Sequence, residues 1–169
     1  MEAIAIQPSF ADFYHQGEHL MAEVRALREQ LNGLYARDEA VRPAIQRPED
    51  AVEAVREIRL LDHEELWVLD LDTRGHLMSV TPLYRGTLNE ADVRVAEVFR
   101  RAVIENAASI IMVHNHPGGE PSPSAADLAL FKALGEAGRL LDIKLLDCIV
   151  VAAAGFESLE RQYQSQNRS

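Results

Sequence analysis

Two short and almost wholly apolar runs constrain the fold of this chain more than any other feature. They are SIIMV at 109–113 and IKLLDCIVVAA at 143–153, which have the length and composition of buried strands. The segment between them, PSAADLALFKALGEAG at 123–138, carries apolar residues at helical spacing and ends at a glycine. Because strands and helices interleave, the sequence predicts an α/β (α+β) fold with a mixed central sheet flanked by helices.

The remaining segments predict elements of the same two kinds. Alternation of side chains indicates strands, and polar stretches that contain proline or glycine indicate linkers and turns. The predicted elements are a linker over 36–51, a short helix over roughly 48–60, a strand at 65–72, a turn at 72–75, a return strand at 76–83, and a helix over roughly 91–106 that Asn89 and Asp92 can cap.

The first 40 residues predict one amphipathic helix. Apolar residues over 10–34 alternate three and four positions apart, with Gly17 in the one gap, which is the spacing of a heptad seam. Ser9 and Asp12 can form a capping pair at its start. Such a seam packs either on the chain's own domain or against a second copy in a homodimer, and the sequence leaves both open. The seam residues are Phe10, Phe13, Leu20, Val24, Leu27, Leu31 and Leu34, and Tyr14 and Met21 widen the stripe.

The length of 169 residues favours one main domain. We expect an N-terminal helical extension at 1–40, the main domain at 41–160 and a polar C-terminal tail at 161–169. The single cysteine, Cys148, excludes an internal disulfide framework, and its apolar neighbours predict a buried, unreactive thiol.

Charge and hydropathy narrow the class of protein. The sequence shows neither a signal-peptide pattern nor an apolar stretch of about 20 residues, so we expect a soluble cytoplasmic protein with no membrane partner. The formal net charge of −10 argues against a broad nucleic-acid surface, because phosphate binding draws on clustered Lys and Arg. Direct DNA binding is therefore doubtful.

The stretch MVHNHPGGEPSPSAAD at 112–127 carries the clearest chemistry. If strand geometry persists, His114 and His116 point to the same side, because strand side chains alternate. Pro117 then ends the strand, and the loop after it can bring the next helix back over the histidines. Two imidazoles with the carboxylate of Asp127 leave a fourth position for water, which is the pattern of catalytic zinc. The sequence therefore predicts one zinc ion per chain.

Each part of this stretch also has a purely structural interpretation. Ser124 and Asp127 have the spacing of a capping box with Asp in place of Glu, and an acidic residue in a first helical turn is favourable in any case. Proline and glycine after a strand are ordinary loop residues. The joint spacing is much less expected by accident than any single part, and it favours the metal site.

His114-x-His116, seven residues, Ser124, two residues and Asp127 together resemble the JAMM signature of the JAB/MPN metallopeptidases. The form HNHPGG…PSPSAAD, with YRGTLNEADV upstream, resembles the RadC branch, and the likeness spans about 45–160. The resemblance implies a JAB/MPN metalloprotease-like fold with a cytidine-deaminase-like architecture. It also implies a zinc metallopeptidase that hydrolyses a peptide or isopeptide bond in a peptide or protein substrate that the sequence does not identify.

The resemblance further implies a catalytic glutamate just before the strand that ends in Leu-Asp. Matching that end to Leu71 and Asp72 selects Glu64, with Glu65 as the alternative. The glutamate would serve as general base for the attacking water. By the same resemblance, Ser124 would stabilise the oxyanion of the tetrahedral intermediate.

The chain departs from the RadC pattern in three places. The usual N-terminal helix-hairpin-helix region is replaced by the amphipathic helix, Cys148 follows Asp147 where many RadC chains carry His, and a family His-Pro pair is Arg94-Val95 here. These departures put DNA binding in doubt and leave the predicted ligands untouched.

Two functions stay open. One is a zinc metallohydrolase, and the other is a non-enzymatic or poorly active accessory protein associated with DNA repair or mobile elements. The letters HNH at 114–116 do not make an HNH nuclease, whose residues are spread over a longer unit. A zinc deaminase is excluded because it requires His-x-Glu and a second cysteine.

Overall fold

The structure, a computed structural model, describes residues 10–86 and 93–166, with side chains from residue 17 onward. Ser9, Asn89 and Asp92, which the sequence assigns to helix caps, lie outside the described residues, as does the side chain of Asp12. The elements are α1 (Phe10–Arg37), α2 (Pro48–Ala54), β1 (Glu65–Leu71), β2 (Leu77–Arg85), α3 (Val95–Glu105), β3 (Ser109–Asn115), α4 (Ala125–Leu141), β4 (Lys144–Ala152), β5 (Gly155–Ser158) and α5 (Leu159–Gln166), with short 3-10 turns at Glu39–Val41 and Arg56–Leu60.

The five strands form one mixed sheet in the order β2-β1-β3-β4-β5. The β3 and β4 strands are parallel and are connected through α4, whereas the other neighbouring pairs are antiparallel. Alternate strand residues fill two buried clusters: Trp67 and Ile111 belong to one, and Leu66 and Met112 to the other. This arrangement confirms the mixed α/β class with flanking helices. Within the described residues, no helix is both long and apolar enough to cross a membrane.

Helix α4 extends past its predicted end at Gly138 and stops at Leu141. The residue that caps it is Asp142, which adopts the left-handed conformation with φ 56°. Gly138 serves close packing instead, because a Cβ there would lie 2.5 Å from the carbonyl oxygen of Ile143 and 3.3 Å from the Phe99 ring. The glycine therefore marks a close contact with the chain that leaves the helix.

The C-terminal region holds a strand and a helix that the sequence analysis did not predict. The β5 strand pairs with the end of β4 and α5 follows directly, so residues 161–166 are helical where a polar tail was expected. Asp147 stabilises the junction between β5 and α5, since its carboxylate accepts hydrogen bonds from the Ser158 hydroxyl (2.6 Å) and the Glu160 amide (3.1 Å). The start of α5 thus depends on a residue of β4 that is distant in sequence.

Helix α1 contacts the domain through polar residues together with Met21 and Tyr35, and not through the leucines of the predicted seam. Asn32 donates to the Val80 carbonyl (2.8 Å) and accepts from the Val80 amide (2.9 Å), which satisfies part of the free edge of β2. Arg28 is buried, bonds Glu57 and lies over the Trp67 ring at 5.8 Å. These contacts orient α1 on the chain and leave its leucines facing outward.

Asp70 is a carboxylate buried within the sheet. Its Oδ2 accepts a hydrogen bond from the Ser79 hydroxyl (2.7 Å), and its Oδ1 has no partner among the described residues. Burial raises the pKa of Asp70 from 3.8 to about 6, although the Ser79 bond opposes the shift. The folded protein therefore holds this proton more tightly than the unfolded chain does.

We expect Asp70→Asn to stabilise the protein at neutral and alkaline pH. The free energy of unfolding of the wild type should fall as pH rises from 3.8 to about 6, because the unfolded chain releases the Asp70 proton first. The variant should then exceed the wild type by up to about 3 kcal/mol near pH 8, and the difference should vanish near pH 3. Urea unfolding at both pH values measures it, and a pH-independent difference would contradict the assignment.

Candidate metal centre

Strand β3 carries His114, and His116 follows directly after its last residue, so both histidines lie at one corner of the sheet. His114 and His116 are two positions apart, so strand alternation turns both imidazoles to the same side. Their Nε2 atoms lie 3.1 Å apart and their ring centroids 4.9 Å apart. His114 is buried, whereas His116 is partly exposed. The protein therefore closes this corner of the sheet on the His114 side and leaves it open to solvent on the His116 side.

Helix α4 supplies the third group from its first turn. The Oδ1 atom of Asp127 lies 3.1 Å from His114 Nε2, and its Oδ2 atom lies 3.7 Å from His116 Nε2. Burial acts to raise the pKa of Asp127, but the adjacent His114 and the donors of Ser124 more than offset this effect, so the pKa lies well below its usual range. The carboxylate is thus held in its charged form against the two imidazoles.

These three side chains fit a tetrahedral metal ion. One ligand atom from each of His114, His116 and Asp127 lies within 4.8 Å of the others. In a tetrahedral zinc site with bonds of 2.0–2.1 Å, neighbouring ligand atoms are about 3.3 Å apart. The His114–His116 Nε2 separation and the separation of His114 Nε2 from Asp127 Oδ1, both 3.1 Å, match that spacing. The arrangement could therefore hold a metal with three protein ligands.

The surroundings of the two Nδ1 atoms favour an orientation in which each histidine ring turns its Nε2 atom toward the cluster. His116 Nδ1 lies 3.1 Å from the carbonyl oxygen of Glu120, which only accepts, so Nδ1 carries the proton. In the neutral ring, the lone pair is then on Nε2 and faces the corner. His114 Nδ1 has no partner among the described residues, which leaves Nε2 as the nitrogen that faces polar groups.

Ser124 is the N-cap of α4 and bonds the ligand carboxylate. Asp127 Oδ2 accepts hydrogen bonds from both the amide and the hydroxyl of Ser124, each at 2.7 Å, and the Asp127 amide donates back to the hydroxyl (3.2 Å). The capping box is therefore present, and it leaves Oδ1 to face His114. The structural and metal-binding interpretations are compatible because they use different oxygen atoms.

The strand register distinguishes the two candidate glutamates. Leu66 is paired with His114, so even-numbered residues of β1 share the histidine side of the sheet. The Gly86 amide donates to the Glu64 carbonyl (2.8 Å), which continues the β1–β2 ladder by one residue. Glu64 therefore precedes Leu66 by two positions on the histidine side, and it is partly buried.

Glu65 has the opposite orientation and a different role. Its carboxylate accepts hydrogen bonds from the Trp67 indole (2.8 Å) and His63 (2.9 Å), and it pairs with Arg25 of α1. Burial acts to raise the pKa of Glu65, whereas these donors lower it, and the net result is a pKa below its ordinary value. Glu65 thus links α1 to the sheet.

Asn115 is a residue of this corner that the sequence analysis missed. It lies between the two histidines, and its side chain is buried. Its amide donates to the His63 carbonyl (2.9 Å), and its oxygen accepts from the Glu65 amide (2.7 Å). Asn115 therefore holds the peptide units on both sides of Glu64. Its position between two predicted ligands, on the opposite side of the strand, was the available signal.

Comparison with known proteins finds relatives for most of the chain. The RadC-like JAB domain family matches residues 45–165. A UPF0758 protein of Roseiflexus castenholzii is 39% identical over 147 residues, which cover 86% of this chain and 63% of that protein. A UPF0758 protein of Shouchella clausii is 44% identical over 123 residues, which cover 72% of this chain and 54% of that protein.

A third relative, a UPF0758 protein of Chloroflexus aurantiacus, is 45% identical over 106 residues, or 63% of this chain and 46% of its own. The chain thus spans between 46% and 63% of the length of these three relatives. The family match includes both histidines, Asp127 and the strand that precedes them. The chain belongs to the RadC-like JAB domain family.

Proposed function

We propose that this protein is a zinc-dependent metallohydrolase of the JAMM type that cleaves a peptide or isopeptide bond. The observation that carries the proposal is the convergence of His114, His116 and Asp127 at the open end of β3. Two imidazoles and one carboxylate with an open fourth position are the ligand pattern of catalytic zinc. The JAB domain family, to which the chain belongs, includes metallohydrolases.

Zinc suits this donor set, at one ion per chain. Imidazole and carboxylate are ordinary zinc ligands, and the one cysteine, Cys148, is fully buried in the core. Burial, together with Asp147 and Asp127, raises the pKa of the Cys148 thiol well above its usual range, so it does not offer a thiolate. When bound in such a site, zinc lowers the pKa of a coordinated water toward about 7.

The protein's own groups then have separate tasks. Glu64 would accept the proton of the attacking water and pass it to the leaving nitrogen. Asn115 would hold the Glu64 backbone through its two bonds to the flanking peptide units. Ser124 would donate to the oxyanion after its hydroxyl rotates away from Asp127, whose Oδ2 keeps the Ser124 amide as donor.

A cleavage screen tests this function. The zinc-loaded chain would be incubated with a library of linear and lysine-branched peptides, and products would be identified by mass spectrometry. We expect cleavage by the wild type and none by the chelated protein or by the His114→Ala/His116→Ala variant. Equal cleavage by that variant would overturn the proposal. A protein that holds zinc and cleaves no member of the library would favour the accessory role.

A further inference from the structure

The three clustered side chains are not held in place in the same way. His114 lies within β3, where its backbone is paired with both neighbouring strands. Asp127 lies in the first turn of α4, where the capping box with Ser124 fixes its carboxylate. His116 follows the last residue of β3, and its side chain is 21% exposed. The orientation of His116 therefore depends on the loop that comes after it.

A tight turn after His116 returns the chain to its imidazole ring. The His116 amide donates to the Val151 carbonyl (2.8 Å), and the His116 carbonyl accepts from the Gly119 amide (3.1 Å). A bond between residues three positions apart closes a β-turn, in which Pro117 takes the second position. The carbonyl oxygen of the next residue, Glu120, lies 3.1 Å from His116 Nδ1. The ring bond thus depends on the direction of one carbonyl group.

The backbone on both sides of Glu120 fixes the direction of that carbonyl. Gly119 has a φ of 95°, a conformation that side chains with a Cβ rarely adopt. The Gly119 carbonyl accepts from the amide of Ala154 (3.1 Å), which lies in the turn between β4 and β5. Pro121 restricts Glu120 to extended conformations, because the proline ring clashes with a preceding residue in the helical region. Glu120 is therefore held through its backbone, although its side chain is exposed.

We propose that Gly119 is a positioning residue for the metal ligand His116. It acts through the Glu120 carbonyl, which keeps the proton on His116 Nδ1 and leaves Nε2 to face Asp127. An imidazole that is oriented in advance loses less freedom when Nε2 binds a cation. Loss of such a supporting bond typically weakens metal binding by about 10–100-fold. The inference rests on the metal site of the proposed function, and it concerns how that site is built and not which bond is cleaved.

The tautomer of His116 tests the proposal without metal. Imidazole nitrogen chemical shifts of the zinc-free protein, measured by NMR near pH 8, should place the proton on Nδ1 in the wild type. Gly119→Val should shift the proton toward Nε2, because a β-branched residue does not keep a positive φ and the loop must move. Gly118→Val is the matched control, since Gly118 has no positive φ and a Cβ there meets nothing within 4 Å. An unchanged tautomer in Gly119→Val would overturn the proposal.

Zinc affinity, measured by competition with a chromophoric chelator, gives the second readout. Gly119→Val should bind zinc about 10–100-fold more weakly than the wild type, whereas Gly118→Val should match it. Gly119→Asn should recover most of the affinity, because asparagine tolerates a positive φ. Pro121→Gly releases Glu120 from the other side and should weaken zinc binding in the same direction, even if Gly119→Val does not fold.

The two readouts separate this inference from the proposed function. A purely structural role of Gly119 would lower the melting temperature of Gly119→Val and leave its zinc affinity unchanged, which would refute the positioning role. A wild type that binds no zinc, with the tautomer shift present in Gly119→Val, would overturn the proposed metallohydrolase and support the positioning of His116 by Gly119.

Discussion

Glu64→Gln is expected to lower the rate of peptide hydrolysis by about 10²–10⁴-fold while zinc stays bound, because general acid–base catalysis is typically worth that much. The amide keeps the size and much of the polarity of the side chain but does not accept a proton from water. The zinc content of the Glu64→Gln variant should equal that of the wild type, because Glu64 is not one of the three clustered ligands. The rate per bound zinc is the quantity to compare.

The matched control is the neighbouring Glu65→Gln. Glu65 lies on the α1 side of the sheet, where its buried carboxylate bonds Trp67, His63 and Arg25. Loss of its charge should reduce the free energy of unfolding by about 1–3 kcal/mol, as expected for buried hydrogen bonds to a charged group. The rate per bound zinc should stay near that of the wild type. Thermal melting and single-turnover kinetics on the same samples separate the two effects.

Other outcomes would assign the base differently. A large loss of rate in Glu65→Gln with little change in Glu64→Gln would mean that the match of Leu71 and Asp72 to the family strand is off by one residue. Small and equal effects would show that neither glutamate takes the proton. That result would favour the non-enzymatic accessory role.

The arrangement of the corner could be predicted because it depends on local rules. The two-residue alternation of a strand is enough to turn His114 and His116 to one side. The three-residue spacing of a capping box is enough to direct Asp127 toward the start of its helix. The loop between β3 and α4 is short, so His114, His116 and Asp127 also lie close together in the sequence. The mixed α/β class followed from the same local patterns.

The parts that sequence reasoning missed depend on contacts between distant residues. Gly138 ends no helix, because its role is set by Ile143 and Phe99 across a packing contact. The bond of Asn115 to the Glu65 amide joins residues 50 positions apart. The stripe of α1 that faces the domain includes the polar residues Asn32 and Arg28, which find partners there that periodicity does not show. In each case tertiary contacts override a local signal.

The zinc stoichiometry should fall from one per chain in the wild type to near zero in His114→Ala/His116→Ala. Removing two of three ligands leaves one carboxylate, and a single carboxylate does not hold zinc against buffer. His19→Ala/His76→Ala is the matched control, since it removes the same number of imidazoles away from the cluster and should keep its zinc.

Two further variants separate the roles of the α4 start in the same measurement. Asp127→Asn should lose most of the zinc, because the amide oxygen is a weaker ligand than a carboxylate. Ser124→Ala should keep the metal and lose about 1 kcal/mol of stability, because it removes the helix cap but not the ligand. Elemental analysis of protein purified without added metal decides between these outcomes. Full zinc in the double-histidine variant would place the metal elsewhere, and loss of zinc in Ser124→Ala would mean that the cap and the ligand act as one unit.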